Sequence, residues 1–364
     1  MTGSVTAPVV VIGGGQAGLS VARCLQREGV EPVVLDAADR VGDAWRHRYD
    51  SLRLFTPAQY DALPDMAFPA PADTYPSKHD VADYLADYAE RFGIDVRCGC
   101  RVDRLVWSAE SSTFRLTAGD QQINASTVVV ATGALQLPWR PTFAAGLTAD
   151  VNQLHAADYR NPADVSGRRV LIVGAGNSGG QIAEELAADD DVVEVTISFG
   201  ELPRRFPQRL LGRDIFWWFQ RWGVMDRTRQ DAGSSEAAVG AVPLIGSRLP
   251  KLVKSGQVRR AAPIVGADGA GLHAADGAVH RPDTVIWATG YRNDFTWIDI
   301  PNVLDEHGQP RHDRGISTTK ANLAFIGLPG LHTKGSAFLG FVGRDAEHIA
   351  TVIGDRQAAT SSSA

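Results

Sequence analysis

Two glycine-rich turns of the same design contain the residues whose types and spacing could do chemistry. The first, Gly13 to Gly18, reads G-x-G-x-x-G and follows the apolar run 9–12. The second, Gly174 to Gly179, has the same pattern after the apolar run 170–173. Such a turn between a strand and a helix lets a pyrophosphate approach the backbone and rest on the helix N-terminus. Two copies predict two bound dinucleotides, and the simplest chemistry that needs both is electron transfer from a nicotinamide to a flavin.

Companion residues in both units strengthen this interpretation. Asp36 ends the apolar run 32–35, at the distance from the glycines where a carboxylate can bind a ribose hydroxyl. An Ala-Thr-Gly triplet follows a later apolar strand in each unit, at 131–133 and at 288–290. One such turn alone is a weak signal, because a glycine-rich turn can also be purely structural. The repetition favours ligand binding.

The elements that must position these turns predict an α/β fold with two Rossmann-like dinucleotide-binding domains. The second unit lies inside the first, because a last apolar strand at 323–326 and a helix from Arg344 return to complete the first domain. We therefore expect a discontinuous FAD-binding domain at 1–164 and 293–364, with an NAD(P)H-binding domain inserted at 165–292.

Composition excludes several classes of protein. The chain has 364 residues, 44% of them hydrophobic, and a net charge of −6, which leaves no excess of cations for a nucleic-acid partner. No apolar run reaches the roughly 20 residues that span a bilayer, and no signal peptide is visible. Three cysteines, Cys24, Cys98 and Cys100, are too few for a disulfide framework and indicate reduced thiols and a cytoplasmic location. The Cys98–Cys100 spacing is poor for a flavin-linked disulfide, and no spacing predicts a metal site.

Further segments carry a family resemblance. They are 41–45 followed by 49–52, Phe68-Pro69 leading to 75–78, His155 with Tyr159, and 288–291. In this order the chain resembles, over nearly its whole length, the class B flavin-dependent monooxygenases: flavin-containing monooxygenases, plant auxin-forming flavin monooxygenases and bacterial relatives that include Baeyer–Villiger enzymes.

The resemblance implies a monooxygenase that uses FAD, NAD(P)H and O2. It would insert one oxygen atom into a small sulfide, ketone, amine or 2-oxo acid through a C4a-peroxyflavin, and it names no catalytic side chain. FAD would lie along the first turn with its ring beside Trp45 and the segment 54–56, and NADPH, with NADH possible, along the second. The candidate cofactor-binding residues are Gly13, Gly15, Gln16, Ala17, Gly18, Asp36, Gly42, Trp45, Leu54, Thr56, Val102, Ala131, Thr132, Gly133, Gly174, Gly176, Asn177, Ser178, Gly179, Ser198, Arg204, Arg205, Ala288, Thr289 and Gly290.

Two alternatives stay open at this point. One is a reductase or dehydrogenase that passes electrons to a protein or a quinone, and the other is a non-catalytic redox-sensing module. A homodimer is compatible with the sequence.

The chain departs from the family pattern in three places. The hallmark around His155 keeps the histidine and Tyr159 but lacks the family's phenylalanine and glycine, and it implies a structural histidine that links the domains rather than a base. The asparagine found beside the flavin in many flavin-containing monooxygenases is replaced by Phe55 or Thr56, which disfavours animal-type amine oxygenation. In the second unit Glu201 would suit a free ribose, whereas the Arg204-Arg205 pair suits a 2′-phosphate, and we favour NADPH.

An aromatic stretch, 210–222, stands outside the two-unit plan. It contains Phe216, Trp217, Trp218, Phe219 and Trp222. It could be a helix packed on the second domain, a lid that admits an apolar substrate or, since few cations flank it, least favourably a membrane-surface element.

Overall fold

The computed structural model describes residues 4–201, 204–228 and 243–361. Its α-helices are α1 Gln16–Arg27, α2 Asp43–Arg46, α3 Lys78–Arg91, α4 Asn177–Leu186, α5 Ile215–Arg221, α6 Leu249–Ser255 and α7 Gly343–Ser361. Short 3-10 helices lie at Ala58–Tyr60, Thr142–Gly146 and Pro162–Asp164.

The strands alternate with these helices along the chain. The first half contains β1 Ser4–Ile12, β2 Val33–Leu35, β3 Asp95–Arg97, β4 Arg104–Ser108, β5 Thr113–Ala118, β6 Gln121–Val130, β7 Leu137–Pro138, β8 Asn152–His155, β9 Arg169–Val173 and β10 Glu194–Ser198. The second half contains β11 Arg205–Phe206, β12 Arg209–Leu210, β13 Arg213–Asp214, β14 Leu244–Ile245, β15 Val258–Ala261, β16 Ile264–Asp268, β17 Gly271–Ala274, β18 Val279–His280, β19 Thr284–Trp287, β20 Tyr291–Arg292, β21 Ile298–Asp299, β22 His312–Asp313, β23 Ile316–Ser317 and β24 Leu323–Phe325.

The first sheet has a parallel centre built from both ends of the chain. Strand β1 lies between β2 and β6, β3 extends the sheet beyond β2, and β24 pairs with the last residues of β6, with Leu323 opposite Val128. The strands β4 and β5 continue the sheet in antiparallel order. Because β24 arrives from the C-terminal region, the first domain is discontinuous.

The second sheet is wholly parallel, in the order β15-β10-β9-β19-β8. Parallel strands must be covered on both faces, which explains why β9 and β19 are almost entirely apolar and buried. Two Rossmann-like domains are thus confirmed as the fold class. Strand β8 pairs in the second sheet although it precedes residue 165, and the predicted boundaries otherwise stay a prediction.

Helix α1 lies within the core of the first domain. Its residues Leu19, Val21 and Leu25 are fully buried and belong to one apolar cluster with Val9, Val11 and residues of α3 and α7. Helix α3 begins with a capping box in which Ser77 and Asp80 satisfy each other's backbone amides. The same cluster therefore fixes α1, and with it the first glycine turn, against the sheet.

The segment that follows α2 ties the two domains together. Tyr49 packs into the core of the second domain, and its hydroxyl donates to Gln181 Oε1 at 2.6 Å. The buried ammonium of Lys78 bonds Asp50 Oδ1 at 2.7 Å and the carbonyl oxygen of Arg48. A buried cation is retained only when it is paired, so this cluster holds the connecting segment in one conformation.

Candidate cofactor and active site

The first glycine turn brings backbone against backbone. Gly13 has a φ of +112°, and a Cβ atom there would lie 2.5 Å from the carbonyl oxygen of Ala131. A Cβ on Gly18 would lie 1.8 Å from the carbonyl oxygen of Gly13. A Cβ on Gly15, in contrast, would meet no atom within 4 Å. The outer glycines are thus required by packing, and Gly15 borders open space in front of α1.

The second turn repeats this geometry almost atom for atom. Gly174 has a φ of +107°, and its Cβ would lie 2.4 Å from the carbonyl oxygen of Ala288. The Cβ of Gly179 would lie 2.1 Å from the carbonyl oxygen of Gly174, and that of Gly176 would meet nothing within 4 Å. Neither Gly15 nor Gly176 caps its helix with a side chain. Both helix N-termini therefore present backbone amides toward an anion-sized space.

Asp36 lies at the first turn, as its spacing predicts. Its carboxylate accepts a hydrogen bond from the Gly14 amide, and Oδ1 accepts one from the Ala38 amide at 2.7 Å. These two bonds fix the carboxylate beside the glycines and leave lone pairs for a ribose hydroxyl.

Backbone pairing shows which residue of the second unit corresponds to Asp36. The Gly13 amide donates to the Leu35 carbonyl, and the Gly174 amide donates to the Ser198 carbonyl. Phe199, the next residue, therefore occupies the place of Asp36. The Ser198 hydroxyl is already bonded to the Ala262 carbonyl at 2.8 Å, so only its backbone lies at the turn.

An arginine that the sequence analysis missed lies at this position. The guanidinium of Arg260, on β15, lies 4.8 Å from the centre of the Phe199 ring and donates to the Gly200 carbonyl at 2.9 Å. Arg260 is exposed, as are Glu201, Arg204 and Arg205, to which the sequence pointed. Only the pairing of β10 with β15, which sets Ile197 opposite Arg260, could have revealed the residue.

The remaining predicted residues lie at the two turns or pack in the domains around them. Ala131 and Ala288 supply the carbonyls against which the turns pack. Residues near the first turn include Trp45, whose indole Nε1 lies 3.4 Å from Gln16 Oε1. Gly42, with a φ of +89°, is pressed against the backbone of Ala82. Ala17 is buried in the core around α1, Leu54 packs against that core, and Val102 packs against the apolar cluster on the other side of the sheet. The Thr132 hydroxyl accepts a hydrogen bond from Gln136, and the Thr289 hydroxyl donates one to the Trp139 carbonyl. Gly133 and Gly290 both have positive φ angles.

A cavity of about 180 Å³ lies where the two domains meet. The segment 53–55 contributes one side, and Asn177 and Gln181 at the start of α4 contribute another. Gln208 and residues 245–247 also line it. The structure thus brings Leu54 of the first predicted set together with Asn177 of the second.

An aromatic cluster adjoins this cavity. The ring of Phe55 stacks on Phe216 of α5 with centroids 6.1 Å apart and meets the edge of Phe338 at 5.9 Å. The carbonyl of Phe55 accepts a bond from Gln208, which also binds Asp214 at the start of α5. The first domain, α5 and the C-terminal segment therefore share one apolar wall.

Comparison with known proteins identifies a family model, sequence relatives and a solved structure that resemble this chain. The family model for pyridine nucleotide-disulphide oxidoreductases matches residues 10–206. An uncharacterized CzcO-like oxidoreductase of Geobacillus kaustophilus is 39% identical over 94% of this chain and 96% of its own length. The indole-3-pyruvate monooxygenase YUCCA1 of Oryza sativa subsp. japonica is 29% identical over 93% of this chain and 89% of its own. A solved flavin-containing monooxygenase from Stenotrophomonas maltophilia is 29% identical, with a TM-score of 0.79 over 96% of this chain and 98% of that one.

The chain belongs to the class B flavin monooxygenase family. The family resemblance that the sequence carries is confirmed, and the chain is an oxidoreductase and a flavoprotein of the flavin-dependent monooxygenase type.

For a class B flavin monooxygenase, the contrast between Phe55 and Thr56 matters. Phe55 lines the cavity. Thr56 is buried, and its hydroxyl donates to Asp61 Oδ1 at 2.6 Å. Of these two residues, Phe55 is therefore the one that lines the cavity.

Asp61 is the most unusual carboxyl group near the cavity. It is fully buried, and its Oδ2 has no hydrogen-bond partner within the described ranges. Burial raises the pKa of Asp61 to about 7, and the bond from Thr56 only partly opposes this. The carboxyl is thus a proton-holding group behind the segment 54–56.

His155 and the three cysteines are not among the residues that line the described cavity. His155 Nδ1 accepts from the Ala157 amide, Nε2 donates to the Gly290 carbonyl at 3.0 Å, and burial lowers the pKa of the ring. Cys24 lies in α1. Cys98 and Cys100 lie on a loop whose backbone amides, at Gly99 and Cys100, donate to the carbonyls of Ala38 and Asp36. Within residues 4–201, 204–228 and 243–361, no cluster of acidic, histidine or cysteine side chains is arranged to hold a metal.

We expect Asp61→Asn to change the pH dependence of stability. The folded-state pKa of about 7 lies above the value of about 4 in an unfolded chain, so folding favours the protonated carboxyl. This stabilising contribution is complete below about pH 4 and is lost as the pH rises to about 7. The unfolding free energy of Asp61→Asn, relative to the wild type, should therefore rise by about 3 kcal/mol between about pH 5 and about pH 8.

Denaturant titrations at the two pH values check this prediction. Asp87→Asn, on an exposed position of α3, is the matched control and should give no change in the difference. An equal effect of Asp61→Asn at both pH values would show that Asp61 is already ionised in the folded protein.

Proposed function

We propose that this chain is an NADPH-dependent monooxygenase that holds FAD at the first glycine turn and oxygenates a small organic substrate, a thioether or a ketone. The observation that carries the proposal is the cavity to which both domains contribute. Leu54 and Phe55 reach it from the FAD side, and Asn177 reaches it from the nicotinamide side. A donor and an acceptor of hydride held by the two domains would meet there.

The residues of the first turn fit FAD. Gly15 leaves room for a pyrophosphate, the amides at the start of α1 face that room, and Asp36 is fixed where an adenosine ribose would lie. Trp45 and Gln16 extend the same surface toward the cavity. FAD and NADPH, when bound, supply the hydride transfer and oxygen activation that amino-acid side chains lack.

The second turn favours NADPH over NADH. A dinucleotide-binding unit selective for NADH places a carboxylate at the end of its second strand to bind the ribose diol. Phe199 stands there instead, with the Arg260 guanidinium beside it. A guanidinium binds a phosphate in a planar fork, and a phenylalanine cannot bind a diol.

The chain's own aromatic residues form one side of the half-open reaction site. Phe55 lines the cavity, and the rings of Phe216 and Phe338 pack against the Phe55 ring. The Tyr75 hydroxyl and Gln208 both bind Asp214, which caps α5, so the helix is tied to the first domain. Asp61 holds a proton behind Thr56 and keeps that side chain in one orientation.

The cavity lining disfavours a positively charged substrate, because Arg53 is part of it. Glu184 is the one carboxylate in the lining described here, and it already accepts bonds from the Ser247 hydroxyl and from the amides of Arg248 and Leu249. It is therefore poorly suited to hold a protonated amine. Phe55 offers an aromatic face, which suits aryl thioethers and aryl ketones. A cytoplasmic location, indicated by the cysteine usage, is part of the same proposal.

The proposal is tested by following an oxygen atom from O2 into the product. Purified protein loaded with FAD is incubated with NADPH, isotopically labelled O2 and a panel of thioanisole, aryl ketones, amines and 2-oxo acids, and products are analysed by mass spectrometry. We expect label in the sulfoxide or in the ester. Consumption of NADPH with hydrogen peroxide as the only product across the panel would contradict the proposal and favour a reductase.

Gly15→Val and Gly176→Val should show which dinucleotide each glycine turn binds. Each Cβ enters open space and each glycine has an extended backbone, so both variants should fold. Gly15→Val should be purified nearly colourless, with FAD binding weakened by about a hundred-fold or more. Gly176→Val should retain flavin and raise the KM for NADPH by a comparable factor. Retention of full flavin content by Gly15→Val would reassign the first turn.

Arg260→Ala should weaken the use of NADPH selectively. Loss of a charge-assisted bond to a phosphate costs about 1.5–3 kcal/mol, so the KM for NADPH should rise by about 10- to 100-fold while the KM for NADH changes little. Arg259→Ala is the matched control, because its guanidinium pairs with Glu194 at 2.7 Å instead. Equal losses with both nucleotides would show that Arg260 does not bind the 2′-phosphate.

A further inference from the structure

A patch of apolar side chains lies at the surface near the cavity and is not used by the proposed reaction. It consists of Leu210, Leu211 and Trp222, which are exposed, and of Trp217 and Trp218, which are half-buried, and we call it the Leu–Trp patch. Strands β12 and β13 form a tight antiparallel hairpin whose turn is Leu211-Gly212, and α5 follows directly. The indole of Trp218 donates to the Leu210 carbonyl at 3.0 Å. The hairpin and the helix are therefore one unit.

The tip of this hairpin carries an unfavourable residue. Leu211 is 83% exposed and has a φ of +51°, and Gly212 has a φ of +77°. Hairpin turns with two positive φ angles favour asparagine or aspartate before glycine, because a leucine there is strained. An exposed and strained leucine contributes nothing to folding that asparagine would not supply better. Its apolar side chain is better explained by something that it contacts.

The helix that follows has two apolar faces. Ile215, Phe216 and Phe219 face inward and are buried against the aromatic cluster. Trp217 and Trp218 are only half-buried, although Trp218 also packs against that cluster. Trp222, which caps the helix, is 56% exposed, and its ring lies 5.0 Å from that of Trp218. A helix that needed only to pack on the protein would have a polar outer face.

Arginines surround the patch. The described stretch 204–228 contains six arginines, all of them exposed, and two aspartates, within a chain whose net charge is −6. Asp214 is buried as the cap of α5, and Asp226 pairs with Arg344. Arg209, Arg213 and Arg221 lie within the hairpin–helix unit itself. The Arg209 guanidinium pairs with Asp73 at 3.7 Å, and the Arg213 guanidinium lies over the Trp217 ring. Few cations flank the aromatic stretch in the sequence, because Arg213 and Arg221 lie between its apolar residues.

We propose that the Leu–Trp patch docks this enzyme on the surface of an anionic phospholipid bilayer. Leucine and tryptophan enter the interfacial region, where indole rings are favoured, while arginine side chains remain at the level of the phosphate groups. No helix in the described ranges is long and apolar enough to cross a membrane, so the contact is peripheral. A second copy of this chain fits less well, because a two-fold contact would set the same arginines against one another.

This docking would place the active-site wall at the membrane. Phe216 lies on the inner face of the helix that carries Trp217 and Trp218, and it stacks on Phe55. An apolar substrate dissolved in the bilayer would therefore meet the enzyme close to its cavity. The docking itself does not depend on the substrate class proposed above.

Vesicle co-sedimentation of the full-length holoenzyme tests the proposal. Vesicles made of phosphatidylglycerol and phosphatidylcholine in equal parts should bind the enzyme, and pure phosphatidylcholine vesicles should bind it far less. Leu211→Asn suits the backbone of the turn, so it should preserve folding and thermal stability while reducing binding to the background level. Replacing Arg209 and Arg213 together by Gln should lower the partition coefficient roughly twenty-fold, since each cation near the surface is worth about five-fold.

Val265→Asn, which alters an exposed apolar residue on β16, is the matched control and should bind as the wild type does. Absence of binding to anionic vesicles would overturn the proposal, and so would binding that Leu211→Asn leaves unchanged. A concentration-dependent dimer in sedimentation velocity that Leu211→Asn dissociates, without vesicle binding, would assign the patch to a second copy instead.

Discussion

The structure depends on a backbone-to-backbone contact that only glycine permits. In each domain the helix after the first strand lies so close to the preceding turn that a Cβ atom would fall 1.8 or 2.1 Å from a carbonyl oxygen, at Gly18 and Gly179 respectively. This approach aims the start of the helix at the space in front of the sheet and leaves its first amides without side-chain caps. An anion-binding position follows from packing alone. The chain makes this arrangement twice, and the two-cofactor chemistry of its family follows from that repetition.

The two glycine turns can serve one reaction only if the two domains are held in a fixed position relative to each other. Tyr49 of the first domain packs into the core of the second, and the buried Lys78 ammonium fixes the segment beside it through two hydrogen bonds. The helix α5 closes the opposite side, because Asp214 and Phe216 bind it to the first domain. The residues that line the cavity include more polar than apolar side chains, and they are drawn from distant parts of the chain. No acid or base at the cavity is required of the protein, and the proton-holding Asp61 acts one step behind it.

The spacing of residues in the sequence predicted the features that depend on short stretches of the chain. The glycine turns, Asp36, the apolar strands and the return of the C-terminal strand to the first sheet were all predictable, because each follows from short-range patterns and the rules of parallel sheets. The pattern failed where neighbouring strands decide the outcome. Phe199 rather than Ser198 corresponds to Asp36, and Arg260 reaches it through β15. Likewise the choice between Phe55 and Thr56 depends on the buried Asp61, whose contact with Thr56 no periodicity shows.

The central claim is that two dinucleotides are held so that hydride passes from one domain's ligand to the other's. Anaerobic rapid mixing of the FAD-loaded protein with NADPH measures this most directly, because it requires both cradles and excludes any reaction with oxygen. We expect the visible flavin absorbance to bleach in one fast phase whose rate saturates with NADPH. A flavin that stays oxidised in the presence of excess NADPH and NADH, in a protein that retains its FAD, would contradict it.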